Sequence, residues 1–224
     1  MEKARPADYN DVEEEVPMVI RSVLLLCTVG VAASCGGGGG GGGSLHAFAF
    51  PSNAFNDGYV STQPAVLRDS VSVVLGWDDL NEFVVRGFYR FLHTGIPAGA
   101  KIVSATLLTY QFDVFGDPYS ALGGGVLVDH LDMGEKLYVE DFDSAALSSA
   151  IGVLSADATL GVKTLNVKSE VQADVDALRP YTDFRLRFPL DSSSDRQSHF
   201  ASFSDAEDAE ATGFPPVLLV TWHD

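Results

Sequence analysis

The chain has 224 residues, of which 46% are hydrophobic and 10% aromatic, which is enough apolar material for a packed core and too much for a disordered chain. Its formal net charge of −17 repels phosphate backbones and anionic lipid headgroups, so nucleic-acid binding and a basic membrane patch are both disfavoured. Both cysteines, Cys27 and Cys35, precede the region that can fold, so no disulfide bond can crosslink that region.

The segment up to residue 44 has the pattern of an export signal followed by a tether. A run of apolar and small residues after Arg21 is too short to cross a bilayer but has the length of a signal-peptide core. It ends at Ala-Ala-Ser-Cys35, which resembles a bacterial lipobox and implies lipidation of Cys35. Eight consecutive glycines follow, and they cannot continue a helix. We therefore expect a signal peptide over 18–34 and a lipidated cysteine with a flexible tether over 35–44.

Residues 1–17 do not fit this signal, because they carry six acidic residues where a short positive segment belongs. A start at Met18 places a single arginine before the apolar run, and the codons for Glu13 to Val16 can contain a ribosome-binding sequence. We therefore expect 1–17 to be an untranslated or non-native extension. By analogy with enteric sorting rules, Gly36 after the cysteine predicts an outer-membrane lipoprotein of the cell envelope that faces the periplasm or the cell surface.

From residue 45 to 224 the sequence predicts one all-β domain, because short apolar and β-branched runs alternate with turn residues. In the clearest strand, 83–92, period-two alternation places Val85, Tyr89 and Phe91 on one face and arginines on the other. Trp222, in the final strand, is assigned to the core. Further strands are predicted at 101–112, 126–131, 163–168, 183–190, 198–203 and 216–222, with weaker ones within 59–75.

Two helical insertions are predicted between the strands. Ser169-Glu170-Val171-Gln172 matches a capping box, after which Val171, Val175 and Leu178 share a helix face until Pro180. Residues 141–151 are predicted to form a short helix or a loop that crosses a sheet edge.

Several of these segments carry recognisable motifs, which are RGFYRF (86–91), IPAGAKIVSATLLTY (96–110), TLNVKSEVQADVDAL (164–178), FRLRF (184–188), SHFASFSDAE (198–207) and PPVLLVTW (215–222). In this order they resemble the DNRLRE-type β-sandwich family over most of residues 55–223. The resemblance implies a jelly-roll sandwich of secreted and surface proteins, some of which bind polysaccharides, including uronate polymers. Residues 113–162 depart from the family pattern and are expected to form an enlarged set of loops. The motifs are mostly core positions, so they support the fold better than a ligand.

Four arginines are candidate ligand-binding residues. Arg86 and Arg90 share one strand face, and Arg185 and Arg187 share another, in a chain that is otherwise acidic. If these faces adjoin, the guanidinium groups suit bidentate binding of uronate carboxylates. The alternative is a ladder of cross-strand ion pairs with aspartate and glutamate.

Two aromatic residues are candidate stacking platforms for sugar rings. Trp77 precedes a pair of aspartates, and Tyr119 lies in a predicted loop after Pro118. The alternative for either residue is a place in the core.

Metal sites and enzymatic motifs are poorly supported. His130 and Asp132 share a strand face and are two possible metal ligands, although a polar edge is the more ordinary interpretation. The acidic segments 191–195 and 205–208 offer oxygen ligands for a structural calcium ion, with solvated loops as the alternative, and no other cofactor is expected.

The nucleophile-elbow, zinc-protease, P-loop and dinucleotide-binding motifs do not occur, so we expect no enzymatic activity.

The sequence therefore predicts a non-catalytic cell-envelope lipoprotein whose β-sandwich binds an extracellular carbohydrate or another surface component, such as a polysaccharide or a surface protein. One alternative is a purely structural role in the envelope without a small ligand. A second alternative is a weak glycan hydrolase or lyase that uses His93, His130 or His199 as a general base.

Overall fold

The structure, a computed structural model, describes residues 43–63, 65–68, 72–207 and 213–224. The predicted signal peptide, the lipidation site Cys35 and the tether up to Gly42 lie outside these residues. Among the described residues, no helix has both the length and the apolar character needed to cross a membrane.

Twelve antiparallel strands build the domain, which confirms the predicted all-β sandwich with short helical insertions. The helices of the described residues are α1 (Pro118–Ala121), α2 (Lys168–Asp176) and a 3-10 helix (Val139–Phe142). The strands are β1 (Leu45–Pro51), β2 (Gly58–Ser61), β3 (Ala65–Arg68), β4 (Val73–Asp78), β5 (Phe83–Leu92), β6 (Lys101–Phe115), β7 (Val126–Leu131), β8 (Ser148–Ser155), β9 (Gly161–Asn166), β10 (Tyr181–Arg187), β11 (His199–Phe203) and β12 (Val217–His223).

The strands form two layers that share a corner. The first sheet has the order β8-β7-β10-β5-β2-β3, and the second has the order β1-β12-β6-β9. Strands β4 and β11 pair with each other; β4 also pairs with the first residues of β5, and β11 with the last residues of β6. This corner makes the hydrogen-bonded network continuous between the layers.

The main core lies between the two sheets. The first sheet contributes Tyr89, Phe91 and Phe184, all fully buried, which confirms the predicted inward face of strand 83–92. The second sheet contributes Leu107 and Val220, together with Trp222 as predicted. Each such side chain stabilises the fold by roughly 1.5–3 kcal/mol through burial.

The tyrosine of this core also holds the layers in register. The hydroxyl of Tyr89 lies 2.8 Å from that of Thr109 on β6 and donates a 2.7 Å hydrogen bond to the carbonyl of Ser204. A buried hydroxyl without partners would destabilise the fold, so these contacts favour one alignment of the sheets.

The outer face of the first sheet is covered by residues 132–147, which we call the covering loop. It contains the 3-10 helix and packs on a second apolar cluster of buried side chains: Val60, Phe88, Leu131, Met133, Leu137 and Phe142. The corresponding outer face of the second sheet has no such cover among the described residues, and several of its side chains are exposed. The two outer faces of the sandwich therefore differ in accessibility.

Some predicted element details are wrong. Helix α2 begins at Lys168 after Val167 and has no side-chain cap, so the proposed capping box does not form. Leu178 is 72% exposed in a left-handed conformation (φ 58°) rather than on the buried helix face, because the helix has already ended at Asp176.

The predicted loop set 113–162 contains more regular structure than expected. It includes the end of β6, helix α1, strands β7 and β8 and the start of β9. Residues 148–151, predicted as helix or loop, belong to β8, whose serines and glycine are weak strand formers but pair with β7. Tertiary pairing overrides the local preference here.

Candidate functional site

The four predicted arginines do meet, on the outer face of the first sheet beneath the covering loop. Register places Asp183 opposite Arg90 between β10 and β5, and Asp129 opposite Arg185 between β7 and β10. Arg90 and Arg185 therefore each have a carboxylate on the neighbouring strand, as the alternative interpretation required.

Arg90 is fully buried and paired to Asp183. Its Nε and Nη2 atoms donate to the two carboxylate oxygens of Asp183, each at 2.7 Å, in a bidentate arrangement. The remaining donors bind the carbonyls of Gly134 and Glu135 in the covering loop at 3.0 and 2.9 Å. Arg90 thus links two strands and the loop above them.

Asp129 joins the other two arginines of this face. Its carboxylate accepts hydrogen bonds from Arg185 Nε and Nη2 at 3.1 and 2.9 Å and from Arg187 Nε at 2.8 Å. Burial alone pushes the pKa of Asp129 up, but the hydrogen bonds from Arg187, the Ala150 amide and Arg185 outweigh it and lower the pKa below its usual value. The group is therefore a stable anion.

Arg86 completes the set and is mostly covered by its own contacts. Its guanidinium lies 4.0 Å above the ring of Phe142 and donates to the Phe142 carbonyl at 2.6 Å. Asp143 and Asp191, both largely exposed, accept from it at 3.0 and 3.2 Å.

For Arg90 and Arg185, these placements correct the expectation that the guanidinium groups are open to uronate carboxylates. Arg90 is 0% exposed and Arg185 6% exposed, so neither can reach a polysaccharide while the covering loop is in place. The sequence pattern located the cluster correctly, but alternation along a strand cannot tell whether a loop covers that face.

The two predicted aromatic platforms are half-buried against the core. Tyr119 lies in α1 rather than in a loop; its ring meets Phe188 edge-on at 5.5 Å, and its hydroxyl donates to Gln111 Oε1 and lies 3.0 Å from the Ser155 hydroxyl. Trp77 packs against the main core, and its buried Nε1 has no hydrogen-bond partner among the described residues. The structure therefore places both in the alternative setting, as parts of the core.

Two of the three candidate catalytic histidines are engaged in buried hydrogen bonds. His130 Nε2 lies 2.9 Å from Asp174, and His199 lies between Asp195, at 3.0 Å from its Nε2, and the Asp117 amide, which donates to its Nδ1 at 2.9 Å. His130 is 2% exposed and His199 1% exposed, so neither ring reaches solvent. Both act as structural connectors between segments.

His93 is the third candidate and differs from the other two. Its Nε2 is buried without a hydrogen-bond partner among the described residues, and it lines a cavity of about 210 Å³ with Val175 and Arg179. Burial lowers the pKa of His93, although the nearby Asp174 and Asp183 oppose that shift.

The predicted metal ligands do not converge. Asp132 is exposed and lies 3.4 Å from Arg179, whereas His130 is buried against Asp174. No group of three or more histidine, cysteine or acidic residues suited to a metal ion occurs among the described residues. The second acidic segment extends to Asp208, which lies outside them, so structural calcium there stays a prediction.

A different surface, not singled out in the sequence, has the properties of a ligand-binding face. On the second sheet, buried Ala105, Leu107 and Thr109 of β6 alternate with outward side chains, and the partner strands follow the same register. The outward residues are Ala47 and Ala49 of β1, Val217, Leu219 and Thr221 of β12, Ser104, Thr106, Leu108 and Tyr110 of β6, and Val162, Thr164 and Asn166 of β9. None of these twelve residues is charged, and we call the surface that they form the uncharged face. Beyond its Ser104 end, the next outward pair in register is Lys101 and His223.

An aromatic pair lies at one end of the uncharged face. The rings of Tyr110 and Phe214 are stacked with centroids 4.9 Å apart and an interplanar angle of 7°. Both side chains are half-buried, and Val162 beside Tyr110 is 49% exposed. The pair adds a polarisable, rigid surface to an otherwise aliphatic and hydroxyl-bearing sheet.

One sequence feature is related to this surface, but the alternation of residues along the strand could not show which face is buried. The run 101–112 is uncharged at both sets of alternate positions after Lys101, so either face could have been the buried one. Only the sandwich packing shows that Thr106, Leu108 and Tyr110 point outward.

No protein-family model matches the chain, and no curated protein matches it either. The resemblance to the DNRLRE-type family therefore rests on the motifs quoted above.

Proposed function

We propose that this protein is a non-catalytic lipoprotein of the cell envelope, similar to the DNRLRE-type family, whose sandwich binds an extracellular carbohydrate. The observation that carries the proposal is the uncharged face: in a chain with a net charge of −17, one open sheet surface has no charged residue at its outward positions from Ser104 to Tyr110 and ends in an aromatic pair. Depletion of charge together with aromatic residues is typical of recognition surfaces.

The dimensions of the face suit a chain-like ligand. Four strands span about 14 Å from β1 to β9, and the outward residues from Ser104 to Tyr110 span about 20 Å along β6. A patch of roughly 300 Å² lies in the range of the largest surface patches that serve a function in monomeric proteins. An open sheet face of these dimensions suits an extended polymer better than a small molecule.

The non-catalytic part of the proposal is supported by the histidines. A general base has to reach a substrate proton at hydrogen-bond distance. His130 and His199 are buried in bonds to Asp174 and Asp195, and neither lies on the uncharged face. Neither of these two histidines can therefore act on a ligand bound to the proposed surface.

A glycan array probed with the purified full chain tests the proposal. We expect binding to at least one extracellular polysaccharide. We expect the variant Tyr110→Ala to lose this binding, because the substitution removes one ring of the aromatic pair at the end of the uncharged face. The matched control is Tyr138→Ala, an exposed tyrosine of the covering loop on the other sheet, which we expect to bind like the native protein. A native protein that binds nothing on the array would instead favour the purely structural role.

A further inference from the structure

We infer that the uncharged face recognises a neutral polysaccharide and discriminates against uronate polymers. The inference rests on the proposed function and adds the class of ligand, which differs from the acidic polymers that the arginine pattern suggested. Three independent features of the described residues support it.

The first feature is the position of the cations. A uronate carboxylate needs a guanidinium or ammonium group within hydrogen-bond distance to replace the water that it loses. None of the outward residues that define the uncharged face carries such a group; Lys101 lies beyond its Ser104 end, and the arginines suited to this task lie on the opposite sheet. Arg90 and Arg185 are bound there to Asp183 and Asp129. An acidic sugar laid on the uncharged face would lose hydration without compensation.

The second feature is the field of the whole protein. With 31 acidic residues against 14 lysines and arginines, the chain repels a polyanion before contact is made. This repulsion acts over about 10 Å at 0.1 M salt and weakens as salt is added. A neutral polymer does not experience it, so its binding should depend little on salt.

The third feature is the arrangement of side chains across the strands. One row contains Ala49, Leu219, Thr106 and Asn166, and the next contains Val217, Leu108 and Thr164. Each row therefore ends in hydroxyl or amide groups beside aliphatic ones. A neutral sugar ring has the complementary character, with C–H groups on its faces and hydroxyls at its edge.

The other plausible occupant is a second copy of the chain, which would bury the same apolar positions. Two copies would bring a charge of −17 each into proximity, and that repulsion opposes association. We therefore assign the face to the polysaccharide, and the test includes self-association as an outcome.

The test measures the affinity of the full chain for neutral glucan and mannan oligosaccharides and for alginate oligosaccharides, at low and at high salt. We expect the best neutral ligand to bind at least about tenfold more tightly than alginate, a ratio that corresponds to ~1.4 kcal/mol. Its affinity should change little with salt. Tighter binding of alginate would overturn the inference and leave the proposed function standing. A protein that binds none of the glycans would contradict both the inference and the proposed function.

A pair of charge insertions locates the site. Thr164→Glu places a carboxylate on the exposed edge of the uncharged face, and we expect at least about a tenfold loss of affinity for the neutral ligand because a desolvated charge is unfavourable. Thr94→Glu adds the same charge at an exposed turn outside the face and should bind like the native protein.

Two results of this variant experiment would contradict the assignment of the face. Equal affinities of the two variants for the neutral ligand would place the binding site elsewhere. Sedimentation that detects dimers of the native chain but monomers of Thr164→Glu would assign the uncharged face to self-association instead.

Discussion

Asp57 is a buried carboxylic acid that joins two connections of the sandwich. Its Oδ2 accepts hydrogen bonds from the Ser52 hydroxyl at 2.7 Å and from the Ala206 amide at 3.1 Å. Burial, reinforced by the neighbouring carboxylate of Asp205 and opposed by these hydrogen bonds, raises the pKa of Asp57 to about 7. The residue is thus partly protonated near neutral pH, unlike an ordinary surface aspartate.

This shift predicts a pH-dependent stability. In the unfolded chain Asp57 titrates near pH 3.9, so its contribution is fully present below that pH and is lost as pH rises through about 7. The shift of roughly three units amounts to about 4 kcal/mol at most. Asp57→Asn, which keeps an oxygen acceptor, should flatten the pH dependence and stabilise the protein above neutrality. Urea unfolding between pH 4 and 8 measures this, and parallel curves for the two proteins would contradict it.

Arg90 shows how a polar residue can belong to a core. Its carboxylate partner Asp183 is 3% exposed, so removing the guanidinium leaves an anion that water cannot reach. Arg90→Ala should destabilise the fold by about 3–5 kcal/mol in chemical denaturation. The double variant with Asp183→Ala should recover part of this loss because no buried charge remains.

The control is Arg196→Ala, at an exposed position, which should change the free energy of unfolding by less than about 0.5 kcal/mol. Additive single effects in the double variant would mean that the two residues are not coupled.

At the scale of elements, the covering loop is held by side chains of the sheet beneath it more than by its own secondary structure. The carbonyls of Asp141, Phe142 and Ser144 accept from Arg185 Nη1 at 3.2, 2.9 and 3.0 Å. Buried carbonyls outside a helix or strand need such donors. This explains why a segment with only one 3-10 turn is ordered, and why the sequence misassigned the residues around it.

Strand β4 depends on a glycine at the corner between the sheets. Gly76 has φ 147°, and a Cβ atom there would collide with the backbone of His199 and Phe200 on β11. Gly76→Ala should therefore destabilise the protein by about 2–4 kcal/mol, since the strand must move away from its partner. Gly95→Ala, where an added Cβ meets nothing within 4 Å, is the matched control. Thermal unfolding compares them, and equal midpoints would show that the corner tolerates the shift.

The whole molecule is asymmetric in a way that matters for its proposed role. One outer face of the sandwich is covered, charged and internally paired, while the other is open and has no charged residue over the uncharged face. A net charge of −17 favours solubility, and it is supplied by residues outside the uncharged face. The open face can therefore be apolar without making the protein insoluble. A display function for the predicted lipid anchor at Cys35 is consistent with this arrangement.

Much of the fold was predictable because strand periodicity is a local property. Strand 83–92 was predicted with the observed bounds, and the final strand, predicted at 216–222, lies at Val217–His223. Strand β1 and most of β8 were missed, since β1 directly follows the glycine tether and β8 begins with Ser-Ser-Ala and contains a glycine. Their pairing partners, β12 and β7, are distant in sequence, and long-range pairing is not visible in local composition.

The sequence by itself determined the all-β class of the domain, the inward face of the clearest strand and the strand faces on which the arginines recur, because each depends on the chemistry and spacing of neighbouring residues. The pairing of these arginines with aspartates was one of two alternatives that the sequence left open. Only the tertiary structure decided which surfaces are open. The loop that buries Arg90 and Arg185, and the packing that turns Thr106 and Tyr110 outward, result from contacts between segments far apart in the chain. Accessibility is a property of the assembled sheets, and for this protein it moved the candidate binding surface from one sheet to the other.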